Sequence, residues 1–142
     1  MKKAIVYIFL AGIIIFGLIQ LLPIGKNHAN PPTVSEPAWD SPATRAAVKE
    51  HCFQCHSNET EWPWYSNIAP ASWLIYSDVV EARSAFNFSD WNAHPGELDE
   101  MIEAINEGSM PPIQYWIFHP NSRLASAQKQ SLIAGLKATL QR

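Results

Sequence analysis

The sequence predicts a mainly α-helical protein in which one N-terminal membrane-spanning helix precedes a small folded domain with long irregular loops. An apolar run covers residues 4–22 with a single glutamine inside it, apolar residues recur at helical spacing in later segments, and no segment shows sustained strand alternation. The chain of 142 residues is long enough for one such domain. We expect the anchor at residues 1–22, a Pro-rich linker at 23–40 and the folded domain at 41–142.

The N-terminal run has the length and the flanking charge of a membrane anchor. Its 19 residues would form a helix about 28 Å long, close to the ~30 Å hydrocarbon core of a bilayer. Lys2 and Lys3 precede the run, which predicts a cytoplasmic N-terminus and a domain on the periplasmic side of the bacterial cytoplasmic membrane. A cleaved signal peptide is the alternative, although its apolar region normally has about 7–15 residues and Asn27 stands where cleavage needs a small residue.

The composition argues against a nucleic-acid-binding or nucleotide-binding protein, and it indicates a linker at residues 23–40. The net charge is −3, whereas a nucleic-acid-binding domain carries a basic surface. The six glycines form no Gly-rich loop that would cradle a nucleotide phosphate. In residues 23–40 proline is dense and apolar periodicity is absent, which predicts an extended spacer reaching up to about 50 Å from the bilayer.

Four segments of the domain carry the signals of helices. Ser41 is an N-cap residue and Pro42 a first-turn proline, directly before the run ATRAAVKEHC. The segment 95–106 has apolar residues at positions i, i+3, i+4 and i+7, and Gly108 follows it as a helix stop. The other two predicted helices cover residues 70–86 and about 126–140.

The most informative motif is Cys52-Phe53-Gln54-Cys55-His56, which has the Cys-x-x-Cys-His pattern of c-type haem attachment. Two thiols on one helical turn can reach both vinyl groups of a porphyrin and form thioethers. The adjacent histidine then presents its imidazole to the iron as the proximal ligand. We therefore predict one haem c, bound covalently through Cys52 and Cys55 and ligated by His56.

Three other interpretations of the cysteine pair remain open at this point. A structural zinc site would need a second ligand pair, and the chain has only two cysteines. A thioredoxin-like redox pair would need βαβ surroundings, which the sequence does not predict. A disulfide is compatible with an exported protein, but it gives His56 no role.

A second axial ligand is expected downstream, and Met110 in the run GSMPP at residues 108–112 is the strongest candidate. Methionine is a known axial ligand in cytochromes c, and the two prolines forbid helix and stiffen the loop. Met101 lies in the apolar stripe of a predicted helix, so we expect it in the core. His119 is the alternative ligand, although a structural hydrogen bond is the expected role of this loop histidine.

Residues 52–91, CFQCHSNETEWPWYSNIAPASWLIYSDVVEARSAFNFSDW, resemble the bacterial haem-binding domain family of small c-type cytochromes. The later run GSMPPIQYWIFHPNSRLASAQKQSLIAGL is similar to the methionine loop and final helix of that family. The resemblance covers roughly residues 41–142 and implies a cytochrome c-like helical core. It also implies thioether roles for Cys52 and Cys55, with His56 and Met110 as the proximal and distal ligands. Ala82 stands where glycine is common in the family.

These observations predict a mono-haem c-type cytochrome that carries single electrons outside the cytoplasm. The expected partners are redox proteins and the membrane, with no nucleic acid. A filled sixth coordination position disfavours catalysis, so we expect no enzyme. The alternatives are a haem-based sensor or gas-ligand binder in which Met110 is displaceable, and an enzyme such as a peroxidase. The single attachment motif rules out a two-haem peroxidase.

Further assignments concern the surroundings of the haem. The proximal imidazole needs a hydrogen-bond acceptor for its second nitrogen, and the carbonyl of Pro70 is one candidate. Arg83 is the preferred partner for a haem propionate. Acidic residues of the segment 95–106 could steer a basic partner. The aromatic residues expected to wall the haem are Trp62, Trp64, Tyr65, Trp73 and Trp91.

Overall fold

The computed structural model describes residues 1–141, with all side chains except those of Gln114 and Asn121. Arg142, the last residue of the predicted domain, lies outside the described residues. The helices are α1 (Lys2–Ile19), α2 (Pro42–His51), α3 (Phe53–His56), α4 (Ala71–Ala85), α5 (Leu98–Glu107), α6 (Ile113–Phe118) and α7 (Ser126–Leu140), with short 3₁₀ helices at Trp64–Asn67 and Pro120–Ser122.

The mainly α class is confirmed. Among the described residues, the isolated bridge between Ser35 and Asp90 is the one strand-like pairing. Each of the four predicted helices has a counterpart, in α2, α4, α5 and α7. Helix α5 begins at Leu98 and not at residue 95, because Glu97 is still extended as the N-cap. Helix α6 was not predicted, since its six residues are too few to establish a helical period.

The chain folds into two compact units. Met1–Ala29 and Glu61–Val80 form the first unit, and Asn30–Thr60 with residues 81–141 form the second. Helix α1 belongs to the first unit, is long and apolar enough to cross a membrane, and has no buried residue. A helix that could span a membrane is therefore present where the sequence predicts one, although it begins at Lys2 and ends at Ile19.

In the first unit the chain leaves α1 and packs against the segment that leads into α4. The Gln20 carboxamide donates a hydrogen bond to the carbonyl of Ala69 (3.0 Å) and accepts one from the Ala69 N–H (2.9 Å). The Ser72 hydroxyl lies 3.5 Å from the carbonyl oxygen of Ile24. Gly25 has φ +71°, and a Cβ at this position would overlap the Ser72 carbonyl, so glycine is required for this close approach.

Residues 23–40 contain no helix, as expected, but they are not a free spacer. His28 stacks on Trp62 with ring centroids 4.4 Å apart. Further along, the N–H groups of Val34 and Ser35 donate to the carbonyl of Ser89 at 2.8 and 3.2 Å. The expectation of an extended spacer is therefore wrong, because residues between the prolines bond to folded segments of the chain. The domain boundaries at residues 22 and 40 stay a prediction.

The core of the second unit lies between α2, α5 and α7. Its buried apolar residues are Val48, Phe53, Phe88, Met101, Ile105, Leu124, Leu132 and Leu136. Met101 is buried, as its place in the apolar stripe predicts, while Ile133 and Leu140 of α7 are only partly buried. Helices α2 and α7 approach closely at Gly135, where an added Cβ would overlap the side chain of Thr44. This packing fixes the direction of α2, which leads directly into the cysteine motif.

Candidate functional site

The second unit contains a cavity of about 380 Å³, within the size range of small-molecule and cofactor sites. The four residues that the sequence predicts as haem contacts all line it: Cys52, Cys55, His56 and Met110. The remaining lining residues are His51, Gln54, Ala85, Phe86, Phe88, Pro95, Glu97, Glu100, Met101, Ala104, Ile105, Pro111, Pro112, Tyr115 and Leu136. Residues more than 50 positions apart in the chain therefore meet at one mostly apolar wall.

The cysteine motif forms a tight helical turn that directs its members to different sides. The carbonyl of Cys52 accepts hydrogen bonds from the N–H groups of Cys55 (3.2 Å) and His56 (2.9 Å). Phe53, which is 2% exposed, points into the core and stacks on Phe88 with centroids 5.5 Å apart. Because Phe53 anchors the turn from the core side, the two thiols and the imidazole line the cavity.

Cys52 and Cys55 are not joined by a disulfide in this structure. Burial, together with the neighbouring Cys55, raises the pKa of the Cys52 thiol to about 12. Among the described residues, no group of three or more His, Cys, Asp and Glu side chains is placed to hold a metal ion, which disfavours the zinc interpretation. The motif lies between helices and not in βαβ surroundings, which disfavours the thioredoxin-like interpretation.

The imidazole of His56 is held from its Nδ1 side. Nδ1 lies 3.0 Å from the carbonyl oxygen of Ala82 and 3.4 Å from that of Phe86, and the Phe86 ring stacks on the imidazole at 3.9 Å and 8°. A carbonyl can only accept, so Nδ1 carries the proton and Nε2 keeps a free lone pair. Burial lowers the pKa of His56, while the two carbonyl hydrogen bonds act in the opposite direction.

A neutral imidazole with an available Nε2 is the form that ligates iron. The expectation that Pro70 supplies the acceptor is wrong, since the acceptors are Ala82 and Phe86 at the end of α4 and just beyond it. Pro70 was a candidate because of its distance along the chain from His56, and that distance does not show which carbonyl lies near the imidazole. The contact between the end of α4 and the imidazole is a tertiary contact, and the sequence alone does not show it.

Met110 follows the left-handed cap of α5. Gly108 has φ 73°, and the Ala104 carbonyl accepts hydrogen bonds from the N–H groups of Gly108 and Ser109, both at 3.1 Å. This cap turns the chain back over the cavity, where Met110 lines the wall and remains 46% exposed. Pro111 behind it is buried, so the loop is anchored directly after the half-exposed thioether.

Two other predicted contributors lie elsewhere. His119, the alternative ligand, is not among the cavity residues; its ring stacks on Tyr115 at 4.2 Å, and its Nδ1 lies 3.3 Å from the Tyr115 carbonyl. This structural contact is the role expected for it.

Arg83 donates to the Ser57 carbonyl (2.7 Å), to Asn30 Oδ1 (2.8 Å) and to Thr60 Oγ1 (3.0 Å). The assignment of Arg83 to a propionate is therefore wrong, because these groups already engage its guanidinium.

The predicted aromatic wall is also wrong. Among the described residues, the aromatic rings that line the cavity belong to Phe86, Phe88 and Tyr115, besides the two histidines. Trp91 packs in the core, stacked on Phe88 at 5.4 Å. The other predicted wall residues, Trp62, Trp64, Tyr65 and Trp73, belong to the first unit. Position in the sequence near the motif does not show which aromatic rings face the cavity.

His51 is a cavity residue that the sequence did not single out. It ends α2 directly before Cys52, and its buried Nδ1 has no hydrogen-bond partner among the described residues. An unpaired buried nitrogen costs free energy unless something satisfies it. An acceptor carried by a bound group, such as a haem carboxylate, would do so, and the residues present therefore fit haem. The sequence feature that could have pointed to His51 is its position directly before Cys52 of the motif.

Paired thiols, a neutral imidazole and a thioether around one apolar cavity define a haem-binding site. The chain belongs to the haem-binding domain family: a family model described as haem-binding domain matches residues 14–138. The match covers most of the chain, including the end of α1, and the protein accordingly binds haem. Neither a curated protein nor a solved structure matches the chain.

The hydrogen bonds of Arg83 predict that this residue stabilises the fold without tuning the haem. Arg83→Gln should lower the free energy of unfolding by about 2–3 kcal/mol, because charged hydrogen bonds to partly buried acceptors are lost. Denaturant unfolding of the detergent-solubilised protein, followed by circular dichroism, measures this loss. The haem absorption spectrum and reduction potential should stay unchanged.

Arg45→Gln is the matched control, since the Arg45 guanidinium pairs with Glu36 at 2.7 Å in a partly exposed position. We expect it to cost about 1 kcal/mol or less. An Arg83→Gln protein that is as stable as wild type but has a shifted reduction potential would show that Arg83 contacts the haem after all.

Proposed function

We propose that the protein is a mono-haem c-type cytochrome that carries single electrons outside the cytoplasm. The observation that supports this most strongly is the convergence of Cys52, Cys55, His56 and Met110 on one cavity. Haem supplies the one-electron chemistry when bound. The chain's own residues hold the cofactor, set its ligand field and exclude water.

Cys52 and Cys55 are proposed to bind the cofactor covalently. In each thioether bond, the S–H adds across a vinyl C=C, so the sulfur gains a carbon and the proton goes to the other vinyl carbon, with no oxidant required. The cysteines share one turn, which presents both sulfurs to the same cofactor edge.

His56 and Met110 are proposed as the axial ligands. The carbonyls of Ala82 and Phe86 fix the His56 ring, which leaves Nε2 for the iron. A thioether opposite an imidazole raises the reduction potential relative to two imidazoles. With both axial positions filled by side chains, no site remains for a substrate, and we therefore propose a carrier and not an enzyme.

The proposed location is the bacterial cytoplasmic membrane, with the N-terminus inside and the haem domain on the periplasmic side. Cleavage near Asn30 would remove Gln20, Gly25 and His28, which pack against the segment that begins at Trp62. Removal of these residues would break contacts within the folded first unit. This supports an uncleaved anchor over a signal peptide.

Redox proteins are the proposed partners. Glu97, the N-cap residue of α5, and Glu100 within α5 line the cavity, so negative charge lies beside the proposed haem site. Acidic groups beside a redox centre steer a basic partner and raise its association rate at low ionic strength. Nucleic acid is not a proposed partner, since its phosphates would be repelled at this surface.

The half-exposed thioether of Met110 favours one second candidate, a haem sensor that binds a gas in place of methionine. A side chain that is 46% exposed and lies on a loop can swing away at low cost. Titration of the reduced protein with carbon monoxide separates the two functions. A carrier resists binding, whereas a sensor binds readily.

Covalent attachment predicts that haem stays with the polypeptide through acid–acetone extraction and denaturing electrophoresis. Haem-stained gels of wild type should show a band at the position of the full chain. Cys52→Ser and Cys55→Ser should each retain one thioether, and the double variant should lose all stain. Release of all haem from the wild-type chain would contradict covalent attachment.

Axial ligation by Met110 predicts a change of coordination when the thioether is removed. Met110→Ala should open the sixth position to water or carbon monoxide and lower the reduction potential, because thioether ligation favours the ferrous state. Met110→His should restore a low-spin six-coordinate spectrum but keep the potential low. Optical spectra and potentiometric titration measure both effects.

His119→Ala is the control for this series, and its spectrum should match wild type. If the Met110→Ala protein kept the wild-type spectrum and potential, or if the His119→Ala protein turned high-spin, His119 would be identified as the distal ligand. The domain would then be a bis-histidine cytochrome.

An uncleaved anchor predicts that the protein remains in membranes after alkaline carbonate washing. N-terminal sequencing should place the start of the purified chain at or near Met1. A mature chain that begins near Asn30 and appears in the soluble fraction would show that the span is a signal peptide.

A further inference from the structure

The first unit contains a long uncharged segment that is rich in interfacial residues. Residues 62–77 include no Asp, Glu, Lys or Arg, yet they hold three of the six tryptophans and two of the four tyrosines of the chain. Tryptophan and tyrosine concentrate at membrane–water interfaces, where one part of the ring system is apolar and another is wet. The haem site in the second unit uses none of these five rings.

Several apolar side chains of this segment are exposed to an unusual degree. Trp64 is 76% exposed, Leu74 is 50% exposed and Ile68 is 37% exposed. An exposed tryptophan is more informative than an exposed leucine, because so large an apolar surface is normally covered. These three residues are called the interfacial set below.

The hydrogen bonds of Gln20 bring this segment to the end of the spanning helix. Gln20 stands one residue past α1, and its carboxamide pairs with both the N–H and the carbonyl of Ala69, as described above. Its NH₂ group also lies 3.0 Å from the carbonyl of Phe16, within α1. A glutamine at the edge of the hydrocarbon needs such partners, since water is scarce there.

The pairing limits how far the interfacial set can lie from the bilayer. Ile68 is adjacent to Ala69, and Leu74 lies five residues beyond Ala69, about 8 Å along a helix that rises 1.5 Å per residue. Trp64 lies five residues before Ala69, about 10 Å away at the rise of a 3₁₀ helix. Interfacial side chains bury themselves about 5–10 Å into the boundary between headgroups and acyl chains.

We propose that the interfacial set is immersed in the phospholipid interface next to α1, so that the first unit is held at the membrane by a surface as well as by a span. The proposal rests on the proposed membrane location of α1. The occupant is phospholipid, because the surface is continuous with the end of a lipid-facing helix and carries no charge that would favour an acidic or basic protein.

Site-specific photocrosslinking of the full haem-loaded chain tests this proposal. Benzoylphenylalanine replaces Trp64 or Leu74 in separate proteins, each reconstituted in vesicles of phosphatidylethanolamine and phosphatidylglycerol. Phe9 in α1 is the positive control. Ile117 in α6 is the matched negative control, since it is apolar and 71% exposed, much like Trp64. After irradiation, intact-mass spectrometry measures the fraction of chains that gained the mass of one phospholipid.

We expect phospholipid adducts at positions 9, 64 and 74, with yields at 64 and 74 severalfold above that at 117. Adducts at 9 combined with background yields at 64 and 74 would overturn the proposal while leaving the anchor intact. The same holds for adducts at 64 to a second protein chain. No adduct at 9 would overturn the membrane location and this proposal together.

Substitution of Gln20 tests whether its hydrogen bonds to Ala69 hold the segment 62–77 at the membrane. Gln20→Leu keeps the anchor apolar but removes both hydrogen bonds to Ala69. The adduct yield at position 64 should fall severalfold, whereas the yield at position 9 should be unchanged. An unchanged yield at 64 would show that Gln20 does not hold the segment at the membrane.

Discussion

The hydrogen bonds from His56 Nδ1 to the carbonyls of Ala82 and Phe86 are the constraint on which the haem site depends. They select the tautomer, aim the ring and connect the end of α4 to the cysteine motif. A ligand held only by its Cα–Cβ bond would rotate, and ring rotation weakens iron ligation. Phe86 adds a second restraint, because its ring stacks flat against the imidazole.

Hydrogen bonds hold the loops around this contact, in addition to the burial of Phe53 and Phe88. The N–H of Phe88 donates to the His56 carbonyl at 2.8 Å, and Asn87 donates to Asn58 Oδ1 at 2.9 Å. Arg83, which directly follows Ala82 in α4, donates hydrogen bonds to the Ser57 carbonyl and to Thr60 Oγ1 on the loop that follows the motif. The Ala82 carbonyl and the motif are therefore positioned by one connected set of hydrogen bonds.

Local signals predicted much of the fold and the chemical groups of the site. Ser41 caps α2 through the Thr44 N–H (3.1 Å), and Gly108 ends α5 with a left-handed conformation, as their residue types indicate. These features depend on a few neighbouring residues, so a pattern in the sequence reveals them. Cys52, Cys55, His56 and Met110, which line the cavity, were singled out for the same reason, since each stands in a short motif.

The surroundings of the site depend on tertiary contacts, which a single sequence does not display. Pro70 was a wrong choice for the imidazole acceptor because any backbone carbonyl can serve, and only the fold decides which one is close. Arg83 was assigned to a propionate because charge complementarity is visible in sequence, whereas its internal partners are not. The unpaired Nδ1 of His51 is likewise invisible until burial is known.

The central proposal is that His56 and Met110, which line the same cavity, both ligate the haem iron. X-ray absorption at the iron K-edge tests it most directly, because the first coordination shell distinguishes sulfur from nitrogen. The account predicts a sulfur scatterer in wild type that disappears in Met110→Ala and persists in His119→Ala. A first shell of nitrogen or oxygen alone in the wild-type protein would contradict it.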